Sequence, residues 1–472
     1  MLAKFLPALP ARPGREVARV AVPVSIEFMI ILGMEFANQV IVAGLGDTAV
    51  GAVGFANSIF LVPLFVFGAL GVSSSILAAR AFGAKRVREL NTVVSVALLA
   101  GIVIAVPLSL PVVLFPREFF GLVGASDAIA AAGAGYLGVT FAGLAFNTVS
   151  IIFGGVLRSV GHPRSPLVST IVTTSINVPL ALAFVFGWGP IPAMGVVGAG
   201  WAWLICQTLR AMVLALQTYA VFHVVRWEVP RRLREWRRIL SSHLTLAAPI
   251  ALTSFFWTSG VFVYNVVVSQ IGDEALAAFQ IMEAMLSIFI VGSLGLSSAL
   301  TALVGRAVGA GNAAEAAAWA GYIKRIAIVT SVVLGILFAA SSLALPFLYP
   351  AIPSQVLMMA SVGIWLNAAL QPAIIRMLMD AALLPSANDV RGILMGDFAG
   401  PFLFGLPVSA VLALTTPLGV YAVFIGRVCE DVAKLSIFAW RARRLNWDTV
   451  IAKHAHTLPV GDEPVEGLYQ AH

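Results

Sequence analysis

The chain has 472 residues, of which 60% are hydrophobic and 11% charged. Soluble domains carry about 25% charged residues, so a chain this apolar cannot cover its own surface in water and takes lipid as its solvent. The formal net charge of +7 would suggest nucleic acid in a soluble protein; here it points to cationic cytoplasmic loops, with no nucleic-acid partner.

The N-terminal stretch carries Lys4, Arg12, Arg15 and Arg19. A full-length apolar segment follows it, not a short core with a small-residue cleavage site, so no cleaved signal peptide is read. Apolar segments long enough to span run over 17–44, 52–79, 92–114, 131–156, 166–187, 196–222, 244–270, 277–305, 322–349, 355–379, 391–414 and 417–440. They are too long, and too little alternating, for the strands of a membrane barrel. The expectation is an all-α polytopic membrane protein with twelve transmembrane helices. Cys206 and Cys429 both fall inside apolar runs, with no disulfide or metal spacing, and read as small buried residues.

The basic residues test this division. After the N-terminal cluster they return at Arg80, Lys85, Arg86 and Arg88, at Arg158 and Arg164, and at Arg226, Arg231, Arg232, Arg234, Arg237 and Arg238. Further clusters are Arg306, Lys324 and Arg325, then Arg376 and Arg391, then Lys434, Arg441, Arg443 and Arg444. Each lies after an even-numbered span. The odd connections hold Arg117 as their one basic residue, together with Asp47, Asp127 and the pair Asp273–Glu274. An even number of helices with both termini cytoplasmic satisfies this pattern.

A rigid shift of 226 positions pairs Pro23 with Pro249, Gly46-Asp47 with Gly272-Asp273, Arg80-Ala81 with Arg306-Ala307 and Gly83-Ala84 with Gly309-Ala310. The halves are therefore repeats of six helices each. Six is even, so the repeats are parallel and their pseudo-twofold axis lies along the membrane normal. The expected division is an N-lobe over 1–222, a basic cytoplasmic linker over 223–243, a C-lobe over 244–441 and a polar, mobile cytoplasmic tail over 442–472. The linker reads either as a basic amphipathic helix on anionic lipid, with Trp227 and Trp236 at the interface, or as a plain linker whose arginines only enforce topology. His454 and His456 in the tail have no nearby third ligand, so no metal site is read.

At this point the residues resemble a known family. Gly155, Leu157, Arg158 and Gly161, then Pro179, then Gly195, Gly198 and Gly200 are similar to the fourth to sixth helices of the multidrug and toxic compound extrusion (MATE) family. The stretch 300–312, LTALVGRAVGAGN, resembles that family's loop after the eighth helix, and Leu45-Gly46 through Ala49 its first outer loop. The resemblance covers the chain apart from the tail. It implies two six-helix lobes around a central cavity, and export of cationic or amphipathic small molecules in exchange for Na⁺ or H⁺, with no other cofactor. Many bacterial members carry an Asp in the first helix, about seven residues before the Leu-Gly. This chain has Asn38 there, followed by Gln39. An amide does not titrate, and Glu35, one turn earlier, is the candidate replacement.

An ionisable group inside a membrane helix is costly and marks function by default. The candidates are Glu27, Glu35, Glu283, Arg376, Asp380 and Asp397. Glu283 is read as the deepest acid of the second half, between Met282 and Met285, and the repeat sets it opposite Asn57. A carboxylate there can bind a cation or carry a proton, or act as a structural hydrogen-bonding group. Arg376 and Asp380 are spaced to pair on one helix face, which favours a structural ion pair. Asp397 lines the cavity or snorkels to the surface, and Glu27 and Glu35 share one face of the first helix. Gln39, Asn57, Asn147, Asn177, Tyr264, Gln280 and Asn367 are uncharged cavity candidates, most of which interhelical hydrogen bonding would also explain. Asn265 and Gln371 belong with them, and Phe255, Phe256 and Trp257 suit an apolar wall for bulky ligands.

No GxxxxGK[ST] loop is present, so ATP drive within this chain is not expected. No catalytic or metal constellation stands out, which argues against an integral membrane enzyme. A lipid-linked saccharide flippase of the same larger superfamily is the alternative. It should need a strongly cationic cavity, whereas the spans here show few basic residues beyond Arg210. The expectation is a monomeric antiporter of the cell inner membrane.

Overall fold

A computed structural model describes residues 9–122, 124–350 and 352–457. The His454 and His456 side chains and the tail from residue 458 lie outside the described residues. Apart from one isolated bridge between Trp188 and Ile191, the regular structure among the described residues is helical.

In the first repeat the helices are α1 (Pro13–Ala43), α2 (Asp47–Gly83), α3 (Val87–Leu114), α4 (Pro116–Leu122), α5 (Asp127–Ala142), α6 (Leu144–Val160), α7 (Arg164–Phe186) and α8 (Val196–Leu216). In the second they are α9 (Leu233–Ile271), α10 (Asp273–Gly309), α11 (Ala313–Ser341), α12 (Leu345–Leu348), α13 (Ser354–Ser386), α14 (Val390–Ala399), α15 (Leu406–Thr415) and α16 (Val420–Arg443). Among the described residues ten helices are long and apolar enough to cross a membrane, and the bent pair α5–α6 makes eleven. The twelfth is α16, whose charged residues Arg427, Glu430, Asp431 and Lys434 mask its span character.

The repeat is visible element by element. Helix α10 begins and ends 226 positions after α2, Asp47 against Asp273 and Gly83 against Gly309. It breaks down at two places, each with a local cause. The fourth span, expected as one segment, bends by 45° between α5 and α6. Gly143 sits at the bend, where a Cβ would run into the Trp203 ring. Its repeat mate is Ala369, and α13 passes through unbroken. Conversely α7 is continuous, while its counterpart is divided into α14 and α15 by a π-helical segment over Gly400–Gly405 that contains Pro401.

Among the described residues two compact units form, one from residues 26–248, the other from residues 9–25 together with 249–457. This differs from the expected division at the linker. Each cut falls inside a helix, next to Pro23 in α1 and at Pro249 in α9. A helix-interior proline removes one backbone hydrogen bond and loosens the coupling of the turns on either side, so the two parts pack separately.

In the 26–248 unit, Phe67, Leu90, Phe120, Leu137, Ile152 and Leu157 fill the core. Helices α2 and α6 approach closely where Gly71 faces Ile151 and Gly155 faces the Gly71 carbonyl, and Ser75 and Ser159 share a 2.6 Å hydrogen bond there. Small residues and hydroxyls at a helix contact are the usual means of association in lipid. In the other unit Tyr264, Phe279, Met282, Phe338, Ile364 and Phe424 form the core.

The linker is not a free cytoplasmic segment. Residues 223–232 have no regular secondary structure and are tied to α3 through the Arg226 and Glu228 amides, and the rest of the expected linker is already the start of α9. His243 there is fully buried between Ser73 and the Val93 carbonyl. The start of the tail is likewise ordered: α17 (Trp447–Thr457) packs against α10 and α11.

Candidate functional site

Helix α16 is preceded by Gly419, whose φ of 54° suits glycine. Seven residues inside the helix the guanidinium of Arg427 lies over the Tyr264 ring, 5.2 Å from its centre. One of its nitrogens donates to Glu283 Oε1 on α10 at 3.1 Å, another to Glu430 Oε2 at 3.3 Å. Lys434, one turn further, meets Glu430 Oε1 at 2.8 Å and Asp397 of α14 at 3.5 Å. An alternating line of charge therefore runs from Glu283 through Arg427, Glu430 and Lys434 to Asp397. Asp431 lies within electrostatic reach of Arg427 and makes no ion pair among the described residues. Four carboxylates thus share two cations. The positions 427, 430, 431 and 434 follow helical spacing, so one face of α16 carries all four charges.

This face is what the sequence reading missed. It took Glu283 for the deepest acid of the second half, but Glu430 is 2% exposed and Asp380 fully buried, against 22% for the Glu283 side chain. It also counted few cations within the spans, yet Arg427 and Lys434 are buried in the middle of α16. The signal was present in the i, i+3, i+7 spacing and was hidden because Lys434 was grouped with the arginines beyond it.

The second cluster lies on α13 and α11. Arg376 pairs with Asp380 at 3.2 Å as its spacing implied. Lys324, which the sequence placed in a basic loop, reaches the same carboxylate from α11.

In the 26–248 unit Glu27 is 1% exposed and gripped by two arginines, Arg158 of α6 at 3.0 Å and Arg210 of α8 at 2.8 Å. Arg210 lies as far past Gly195 as Lys434 lies past Gly419, so the repeats place an ion-paired cation at matching heights. Glu27 and Glu35 differ in their surroundings. Glu35 is exposed and forms no hydrogen bond or ion pair among the described residues. Gln39 is exposed beside it, and Asn38 half-buried.

The uncharged candidates divide by packing. Asn57 is exposed and accepts a 3.4 Å hydrogen bond from Tyr136. Gln280 is exposed and donates to Asn265 at 2.7 Å. Asn147 and Asn177 are buried, as is Gln371. Asn367 is buried and caps the Gly363 carbonyl of its own helix, and Tyr264 lies wholly under Arg427. Phe256 packs on Phe398 and Phe402, while Phe255 and Trp257 are exposed.

Comparison with known proteins follows this geometry. The sequence profile described as MatE matches residues 23–183 and 249–411, one match per repeat. The "Probable multidrug resistance protein NorM" of Rhodopseudomonas palustris is 27% identical over 442 residues, 89% of this chain and 90% of that protein. A "FAD transporter" of Shewanella oneidensis is 24% identical over 308 residues, 64% of this chain and 67% of that protein. The crystal structure of MATE in the bent conformation superposes with a TM-score of 0.83 at 20% identity, covering 96% of this chain and 99% of that one.

Proposed function

Because the chain belongs to the MatE family, we propose that it is a secondary antiporter, exporting cationic or amphipathic small molecules in exchange for H⁺ or Na⁺. The observation that carries this reading is the excess of carboxylates over cations along α16. Among the described residues Glu283, Glu430 and Asp397 pair with Arg427 and Lys434, and Asp431 lies within electrostatic reach of Arg427. Uncompensated charge in a low-dielectric interior is costly, so such a cluster gains from taking up a proton or a metal cation.

Glu283 is the group whose occupancy changes contacts between helices. While ionised it holds Arg427 across the α10–α16 contact. Once a proton or Na⁺ neutralises it, Arg427 keeps Glu430 as its partner and α10 loses its charged tie to α16. A ligand shifts a conformational equilibrium only by binding the two states differently, and this exchange of partners supplies such a difference. Glu35 is the candidate carboxylate of the first repeat, since it is exposed and carries no counter-ion among the described residues.

Arg158, Arg210, Arg427 and Lys434 put more cations inside the spans than the sequence suggests, as a lipid-linked saccharide flippase would need. Each has a carboxylate partner, however. None is left over for a pyrophosphate, and this favours the exporter. The basic loops support an orientation with both termini cytoplasmic in the cell inner membrane. The test is uptake of a fluorescent organic cation into inverted vesicles with Na⁺ and pH gradients imposed separately. Uptake driven by one of them without ATP supports antiport; uptake that survives collapse of both and needs ATP refutes it.

A further inference from the structure

Between the repeats the chain runs without regular secondary structure from residue 223 to residue 232 before α9 begins. This irregular segment is fixed in place. The Arg226 amide donates to Asn91 Oδ1 at 2.9 Å and the Glu228 amide to Ser95 Oγ at 3.1 Å. The Glu228 carboxylate accepts from Asn91 Nδ2 at 3.3 Å and from Arg88 Nε at 3.2 Å. The Val225 side chain is buried beneath it in the core of the unit. Asn91 and Ser95 occupy the second and third turns of α3, where its sequence passes from charged residues (Arg88, Glu89) to an unbroken apolar run. The segment therefore lies at the depth where α3 enters the hydrocarbon.

Residues 223–238 hold six arginines and two glutamates, and one of those glutamates, Glu228, is already engaged by Arg88. Arg226, Arg231, Arg232, Arg234 and Arg237 are exposed and have no ion-pair partner among the described residues. Trp227 between them is 55% exposed and Leu233 67%. A water-facing linker gains nothing from such apolar groups. At a bilayer surface they enter the headgroup zone while the arginines reach phosphates.

We propose that this strap and the first turns of α9 form a binding site for anionic phospholipid headgroups. The guanidinium fork matches phosphate in a bidentate manner, and the hydrogen-bonded backbone presents the side chains with little ordering cost. The site is independent of the transported substrate and of the coupling ion.

The test uses the purified full chain in nanodiscs of phosphatidylcholine containing brominated phosphatidylglycerol as a tryptophan quencher. The part of the quenching lost in Trp227→Phe reports on lipid beside the strap. The expected result is stronger quenching by brominated phosphatidylglycerol than by brominated phosphatidylcholine at equal content, weakened by high salt. Each arginine near an anionic surface contributes roughly a fivefold factor in affinity. Arg231→Gln with Arg232→Gln should therefore lower the preference by roughly 25-fold, and lysine at both positions should restore most of it. Both residues are exposed, and a wild-type gel-filtration profile and thiol accessibility confirm fold and orientation. Equal quenching by the two lipids overturns the proposal, as does a preference unchanged in the glutamine variant. Either result leaves these arginines with topology alone.

Discussion

Glu27→Gln should unfold the 26–248 unit far more readily than a conservative substitution at a single side chain suggests. Both Glu27 oxygens are in use, by guanidinium groups from two different helices, and the carboxylate is 1% exposed. The two arginine side chains are themselves only 16% and 18% exposed, so water cannot replace the lost counter-ion. Removing one partner of a buried ion pair costs about 3–5 kcal/mol. Each kcal/mol shifts the midpoint of a 150–250-residue domain by about 2–4 °C, so thermal unfolding in detergent should move down by roughly 6–20 °C. Arg210→Leu added to Glu27→Gln removes one orphaned cation and should recover part of the loss. A midpoint for Glu27→Gln within the error of wild type would refute the view that this trio is a structural clamp. It would return Glu27 to the functional carboxylates, beside Glu35.

Asp380→Asn leaves Lys324 and Arg376 facing each other without a counter-ion. It should lower the unfolding midpoint and expression while sparing transport per folded molecule. Gly426→Ala pushes a methyl group into Ser409 Oγ and the Gly405 carbonyl, and should cost about 1–3 kcal/mol in the same unfolding assay. Cysteines at Asp47, Asp127 and Asp273 should react with an impermeant thiol reagent from outside, while those at Lys85 and Arg234 should not; outside labelling at Arg234 would contradict the orientation.

The sequence made the fold legible because lipid leaves few choices. Span length and alternation of basic loops follow from the bilayer, one rigid 226-position repeat divides the chain in two, and helices α2 and α10 begin and end at positions that match under that shift. The bend at Gly143 was not legible, since its cause is the Trp203 ring from another helix. The compact units were also misplaced: a charged linker is the obvious cut, whereas Pro23 and Pro249 loosen the helices from within.

The candidate site was read less well, for an electrostatic reason. Single acids in apolar runs stand out, so Glu283, Asp380 and Asp397 were found. Their partners Lys324, Arg427 and Lys434 were not, because Lys324 and Lys434 fall in with the basic clusters expected from topology and Arg427 pairs with acids brought near it by folding. Glu430 and Asp431 escaped with them. Glu27 was named, but which cations hold it depends on α6 and α8 meeting α1, and no local pattern encodes that.

The central claim, that neutralisation of Glu283 couples the driving ion to export, is tested most directly by Glu283→Gln. Glutamine keeps the shape and can still hydrogen-bond, but it carries no charge for Arg427 and takes up no proton. Arg427 retains Glu430 at 3.3 Å, so the variant should insert and fold. In inverted vesicles at matched protein levels it should lose gradient-driven uptake while still binding substrate. Wild-type rates with an unchanged dependence on the driving ion would contradict the account and move coupling elsewhere, with Glu35 and Asp397 next in line.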